Sequence, residues 1–365
     1  MIQTKYNNMN FDLDKLVRQN IKNLTPYSSA RDEFKGEASV YLDANENSLG
    51  SPTLKWYNRY PDPMQWKVKE KLGAIKALPA TQMLLGNGSD ECIDLLYRTF
   101  CEPGKDNVVI VPPTYGMYEV SANINNVALR KAPLLDDYQL NLAHIEQLID
   151  ANTKIIWLCS PNNPTGNSLH REDVEMVLNN FDGLVVVDEA YINFSKQKSF
   201  SRSLDDYPNL VVLQTLSKAW GLAGLRLGML FASEAIIDVL NKIKPPYNIG
   251  QHTQDIVLQA LDNHGQVNDM IHLIVDMRDA LAAVFSEMPL VQNVYESDAN
   301  FLLVKILGAK KVYDFLLTRG IVTRDRSKVM LCEDCLRITV GTEEENTKLV
   351  DAFADYFLTL NNGNV

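Results

Sequence analysis

Cysteine is scarce in this 365-residue chain, with five copies at positions 92, 101, 159, 332 and 335. An odd, mostly scattered set argues against a disulfide framework. Cys332-Glu333-Asp334-Cys335 is the one close pair, yet a lone CxxC without a second pair or a nearby histidine is a weak zinc motif, and two thiols in a turn is the simpler reading. Histidine is equally thin, five copies without metal-ligand spacing, so no metal site is expected. Positive charge is in deficit, 35 Lys and Arg against 46 Asp and Glu, for a net charge of −11 and a pI near 5.0. Nothing here could track a nucleic-acid backbone. No apolar run reaches membrane-spanning length. The opening MIQTKYNNMNFDLDKLVRQN lacks both the apolar centre of a signal peptide and the Arg-rich, acid-poor pattern of a transit peptide, so the expected address is the cytoplasm.

What is present is ordinary globular material, 46% hydrophobic and 22% charged. The length exceeds what one compact core usually organises and points to two packed lobes. From about residue 80 to 235, short apolar runs alternate with amphipathic stretches, the pattern of an α/β lobe with helices covering a mostly parallel sheet. Strands are expected at 108–111, 155–159, 184–187, 210–213 and 228–232, rich in Val, Ile and Leu on both faces. Helices are expected at 255–261 and around 270–285, the second long enough to bridge to another lobe. The remainder reads as a smaller α+β lobe. The expected division is a segment 1–44 folding back on the small lobe, a large lobe 45–275, and a small lobe 276–365.

The polar segments after these strands matter most, because ligands in open α/β sheets bind where strand ends run into loops. They are PPTYGMY from Pro112, SPNNPTG from Ser160, DEAY from Asp188 and TLSKAWGLAGLR from Thr215. The last holds a hydroxyl, an amine and a guanidinium, Ser217, Lys218 and Arg226, within one loop. A Schiff-base lysine followed closely by an anion-binding arginine is what a phosphorylated aldehyde needs. Either residue alone would read as surface charge; the other three segments make that reading the poorer one. Gly86-Asn87-Gly88-Ser89-Asp90-Glu91 precedes a run with apolar positions Cys92, Leu95, Leu96 and Phe100. Alone it is a good helix cap, and its N–H groups sit at the positive end of a helix.

With Asn45-Glu46-Asn47, Tyr60-Pro61-Asp62-Pro63, Arg324-Asp325 and Arg337-Ile338-Thr339-Val340-Gly341 added in order, the chain resembles the fold-type I, class II pyridoxal-phosphate-dependent aminotransferases, and within them the histidinol-phosphate aminotransferase family, over nearly its whole length. The resemblance implies the cofactor pyridoxal 5′-phosphate, bound covalently to Lys218. Asp188 would pair with the pyridinium nitrogen, keeping the ring an electron sink. Tyr191 and Asn163 would hydrogen-bond the phenolic oxygen, Tyr115 would lie on the ring face, and Gly88, Ser89, Asp90, Ser217 and Arg226 would cradle the phosphate end. Tyr60 would reach across a homodimer interface to the partner's cofactor, so a monomer would be inactive. Lys218, Asp188 and Tyr191 form the catalytic set. Asn47, Tyr115, Asn163, Arg324 and Arg337 face the substrates, with Arg337 on a carboxylate, Arg324 on a phosphate, and Arg326 near enough to compete.

The implied reaction is ping-pong transamination between histidinol phosphate (as donor, yielding imidazole acetol phosphate) and 2-oxoglutarate, with glutamate as product, in histidine biosynthesis. An aromatic or general amino-acid aminotransferase and a threonine-phosphate decarboxylase share the same lysine scaffold. A cofactor-binding regulator without turnover is a further alternative, against which stand the intact lysine, aspartate and arginines. One departure falls at the substrate end. Family members commonly show NENP with a second proline soon after, whereas here Asn45-Glu46-Asn47-Ser48 delays proline to Pro52.

Overall fold

The structure, a computed structural model, describes residues 10–27 and 39–361. The expected N-terminal segment therefore falls partly outside the described residues, at 1–9 and 28–38. A seven-stranded sheet runs in the order β1-β7-β6-β5-β4-β2-β3. Its strands are β1 (Met83–Asn87), β2 (Asn107–Ile110), β3 (Ala128–Lys131), β4 (Thr153–Cys159), β5 (Leu184–Asp188), β6 (Leu210–Thr215) and β7 (Leu227–Ala232). The five expected strands are present at these places, and β1 and β3 flank them.

From β3 to β6 every pair is parallel, whereas β7 runs antiparallel to both β6 and β1. Only the loop 216–226 joins β6 to β7, too short for the helical crossover that a parallel neighbour needs, so the chain turns straight back. The parallel strands are buried on both faces. Alternate residues divide between two cores: Ile156, Leu158, Val185, Val187 and Val212 on one side, Ile155, Trp157, Val186, Val211 and Leu213 on the other. That period of two decides which way every strand-end side chain points. Asp188 shares the parity of Leu184 and Val186, and thus turns toward the face of Trp157.

The second sheet is antiparallel, in the order β10-β11-β9-β8, from β8 (Val291–Val294), β9 (Phe301–Ile306), β10 (Arg324–Asp325) and β11 (Cys335–Thr339). The helices Ala309–Thr318 and Glu343–Asn361 cover it through a separate core around Leu302, Val304, Leu316 and Phe353. One 23-residue helix, His264–Ser286, connects the lobes. Val267 and Ile271 on its first half belong to the large core, while Leu281 and Phe285 belong to the small one. A boundary at 275/276 would thus cut a continuous helix.

Residues 10–27 lie elsewhere than expected. Val17 and Ile21 bury themselves beside Leu96, Phe100 and Leu240 of the large lobe, and Arg18 donates to the Arg98 carbonyl at 2.9 Å and to Glu102 at 3.1 Å. Two one-turn helices, Leu13–Leu16 and Gln19–Lys22, have too few contacts of their own to persist alone. They are held on the large lobe by those apolar anchors rather than on the small one.

Candidate active site

Four of the five parallel strands, β2, β4, β5 and β6, run into loops that line a cavity of ≈720 Å³ together with the small sheet. Lys218, Asp188, Tyr191, Asn163, Tyr115, Ser217, Arg226, Ser89, Asp90, Arg324 and Arg337 all line it, as does Arg326. Asn47 and Tyr60 are not brought there. The Asn47 side chain accepts from Leu49 N–H at 3.0 Å in its own exposed loop, and Tyr60 stacks on Tyr247 with centroids 4.5 Å apart. Neither side chain lines the cavity of its own chain.

Asp188 ends β5 in full burial, which pushes its carboxyl up to about 6. Two donors oppose that rise: the Tyr118 hydroxyl at 2.7 Å on one oxygen and Ala190 N–H at 3.1 Å on the other. Tyr118 is the functional residue that reading the sequence missed. It lies in the helix Met117–Ile124, its ring stacked on Trp157 with centroids 4.9 Å apart, and Trp157 in turn stacks on Tyr97. Truncating Trp157 to Ala would cost roughly 3–5 kcal/mol as a large buried aromatic and would also release Tyr118. The available signal was its nearness to Tyr115, three residues earlier, whose ring it meets edge to face with centroids 5.6 Å apart.

Lys218 opens into the cavity, yet the atoms crowding it lower its amine below the ordinary lysine range. Burial is the larger cause and Arg337 the next, with Asp188 and Asp90 opposing. Its Nζ lies 5.4 Å from the Tyr191 ring centre. Asn163 links Tyr191 to the far arginine, donating weakly to the Tyr191 hydroxyl at 3.4 Å and accepting from Arg337 at 2.6 Å. Tyr115 donates to Asp90 at 3.0 Å.

The phosphate-sized corner is built by close backbone approach. Gly88 precedes the helix Ser89–Phe100 at φ 77°, and a Cβ there would meet Arg226 Nη2 at 2.4 Å. Gly228 is equally tight, since its Cβ would fall 2.2 Å from the Ser89 nitrogen. Arg226 itself adopts φ 55°, a left-handed conformation that costs a non-glycine residue about 1 kcal/mol. Its carbonyl accepts from Gly88 N–H at 2.7 Å, fixing the turn, and its side chain reaches Ser217 at 3.4 Å and Asp90 at 3.5 Å. A helix N-terminus, two hydroxyls and a guanidinium thus converge where only glycine leaves room.

Pyridoxal 5′-phosphate fits this donor set: an amine of lowered basicity for the aldehyde, a buried carboxylate for the ring nitrogen, and an anion cradle that lines the same cavity. Cys332 and Cys335 are free, buried thiols, raised by burial to about 11 and about 12, in the turn that leads into β11. Among the described residues no cluster of metal-ligating side chains occurs.

Comparison with known proteins places residues 39–353 under the family model for aminotransferase class I and II. A histidinol-phosphate aminotransferase of Cytophaga hutchinsonii is 54% identical over 95% of this chain and 100% of its own length. That of Christiangramia forsetii is 53% identical over 94% of this chain and 98% of its own. Among solved structures, histidinol-phosphate aminotransferase from Sinorhizobium meliloti in complex with pyridoxal-5′-phosphate superposes at TM-score 0.77 with 23% identity, covering 87% of this chain and 90% of that one. L-threonine-O-3-phosphate decarboxylase from Porphyromonas gingivalis superposes at 0.71 with 20% identity, over 83% and 91%. Both structural likenesses speak to the fold alone.

Proposed function

Because the chain belongs to the class I and II aminotransferases, we propose that it exchanges the amino group of histidinol phosphate with 2-oxoglutarate, as a histidine-biosynthetic enzyme dependent on pyridoxal phosphate. The observation that carries this reading is identity above 50% to histidinol-phosphate aminotransferases along nearly the whole chain. The fold by itself would suit a decarboxylase equally well.

When bound, the cofactor supplies an electron sink next to the substrate's α-carbon. The residues of this chain do the rest. Lys218 is the group that takes the proton from the donor's α-carbon in the first half-reaction and delivers one to the acceptor's α-carbon in the second; its lowered basicity favours the neutral amine that the first task needs. Asp188 holds a negative charge on the ring-nitrogen side, a task for which Tyr118 and Ala190 keep it ionised. Tyr191 and Asn163 offer hydrogen bonds at the opposite edge, and Ser89, Ser217 and Arg226 anchor the phosphate end. Arg337 and Arg324 bind the substrates' anionic groups in turn, since a planar guanidinium fork accepts carboxylate or phosphate alike.

The working unit is a homodimer. Leu42, Leu49, Leu54 and Trp56 are 84%, 91%, 110% and 65% exposed in the single chain, an apolar stretch that a second copy would cover. Tyr60 lies on the same segment, which supports its service to the partner's site. Five free cysteines suit a reducing cytoplasm. Mixed dimers of Tyr60→Ala and Lys218→Ala chains test the sharing: each mixed dimer holds one intact site if Tyr60 acts across the interface, so activity should reappear on mixing. Tyr60 serving its own chain predicts no recovery.

The substrate assignment is tested by offering the loaded enzyme histidinol phosphate, phenylalanine, glutamate and phosphothreonine separately and following the cofactor's visible absorbance. Histidinol phosphate should discharge it at the lowest concentration. Preference for phenylalanine, or release of CO₂ from phosphothreonine, would overturn the reading.

A further inference from the structure

Three arginines project from one hairpin into the cavity. Arg324 of β10 stands directly opposite Arg337 of β11, and Arg326 follows two positions after Arg324, the spacing that returns a side chain to the same face. Arg326 N–H donates to the Cys335 carbonyl at 2.9 Å, extending the ladder past the end of β10. All three side chains line the cavity. Among the described residues none of them forms an ion pair with a carboxylate, and the only hydrogen bond from any of the three guanidiniums is Arg337 to Asn163. The Nε atoms of Arg326 and Arg337 are buried and have no hydrogen-bond partner among the described residues. Burial comes first and their mutual repulsion second in lowering Arg326, with Arg337 and Arg324 the repelling neighbours.

Like charges gathered with unspent donors are expensive unless a ligand brings the countercharge. Each carboxylate of the dicarboxylate carries one charge and is satisfied by a single fork, so the two call on at most two of the three guanidiniums. A phosphate monoester brings up to two charges and three strong acceptor oxygens, which is what a third guanidinium matches.

Resting on the substrate reading above, we infer that Arg326 is a specificity-determining residue: it completes, with Arg324, a seat for the phosphate ester of the amino donor and contributes little to binding the dicarboxylate. Full-length holoenzyme carrying Arg326→Gln or Arg326→Lys is assayed on histidinol phosphate, on histidinol without the phosphate, and on glutamate. Inorganic phosphate is measured alongside as a competitive inhibitor. Arg326→Gln should lose about ten- to a hundredfold in kcat/KM on the ester, carried by KM, with less than about threefold on histidinol and glutamate. Inhibition by inorganic phosphate should weaken in parallel. Arg326→Lys, which keeps the charge but not the fork, should fall between Gln and Arg. Equal losses on ester and alcohol, or an unchanged ester KM, overturn the inference while leaving the reaction assignment standing. A wild-type enzyme indifferent to the phosphate overturns both.

Discussion

Replacing Tyr118 with Phe removes one oxygen and keeps the ring, so the stack on Trp157 survives while the 2.7 Å hydrogen bond to Asp188 is lost. A hydrogen bond to a buried charge is worth roughly 1.5–3 kcal/mol, and each pH unit corresponds to about 1.4 kcal/mol. Asp188, now held at about 6, should therefore rise by roughly one to two pH units. Cofactor binding calls on the ionised carboxylate. At pH 7 the wild-type group is mostly ionised, whereas in Tyr118→Phe half or less of it would be. Affinity of the apoenzyme for pyridoxal phosphate should consequently fall by roughly two- to tenfold at pH 7 and recover almost fully by pH 9, where both proteins are ionised. Fluorescence titration of apoenzyme across that range measures it directly. A general packing defect would instead weaken binding equally at both pH values. An unchanged affinity at pH 7, or a penalty that does not fade, refutes the assignment of Tyr118 as the group that keeps Asp188 charged.

The same carboxylate has a consequence for the apo fold. Its folded value is raised from 3.8 to about 6, so folding favours the protonated form, and stability falls as pH rises through that window and stays lowered above it. Asp188→Asn should remove this penalty, raising apoenzyme stability at pH 8 by up to about 3 kcal/mol in chemical denaturation while abolishing transamination; a destabilised variant would show that the charge is not the strained element. Lys218→Ala should keep the fold yet lose turnover by at least about 10⁴-fold in single-turnover assays, and retention of appreciable activity would remove it from the chemistry. Gly88→Ala should weaken cofactor affinity by at least about tenfold, because its Cβ would collide with Arg226 and φ 77° disfavours a side chain, and unaltered affinity would show that the corner has slack to give.

Much of this was legible one residue at a time. Lys218 and Arg226 stood out because an amine and a guanidinium share one loop, Asp188 and the glycines around Gly88 were picked out through the family resemblance, and the buried parallel strands showed because Val and Ile runs have few other uses. β3 was not visible, since Ala128–Lys131 is a partly exposed edge without an apolar run. The reversal of β7 was hidden too: its residues suit either direction, and only the shortness of the preceding loop decides. Tyr118 escaped because its partner lies 70 residues away, a distance no local pattern spans. Residues 13–22 were misplaced for the opposite reason, as two short helices carry almost no information about which apolar surface will hold them. Asn47, expected at the substrates, lies outside the cavity of its own chain, as does Tyr60, for which the resemblance implied service to a partner copy.

On the proposed reaction, the hairpin of β10 and β11 carries three of the four guanidiniums that line the cavity, while Lys218 and Asp188, which would move the proton and hold the ring nitrogen, come from the loop after β6 and the end of β5 in the larger sheet. Reading the ligand's charge and reshaping its bonds are thereby entrusted to separate pieces of backbone. Within the sixteen consecutive residues 324–339, Arg324 and Arg326 could be exchanged to retune which anion is welcomed without touching a group that contacts Lys218 or Asp188, whereas Arg337 is tied to both tasks through Asn163 and its charge beside Lys218, so divergence of substrate has freest play at the first two positions.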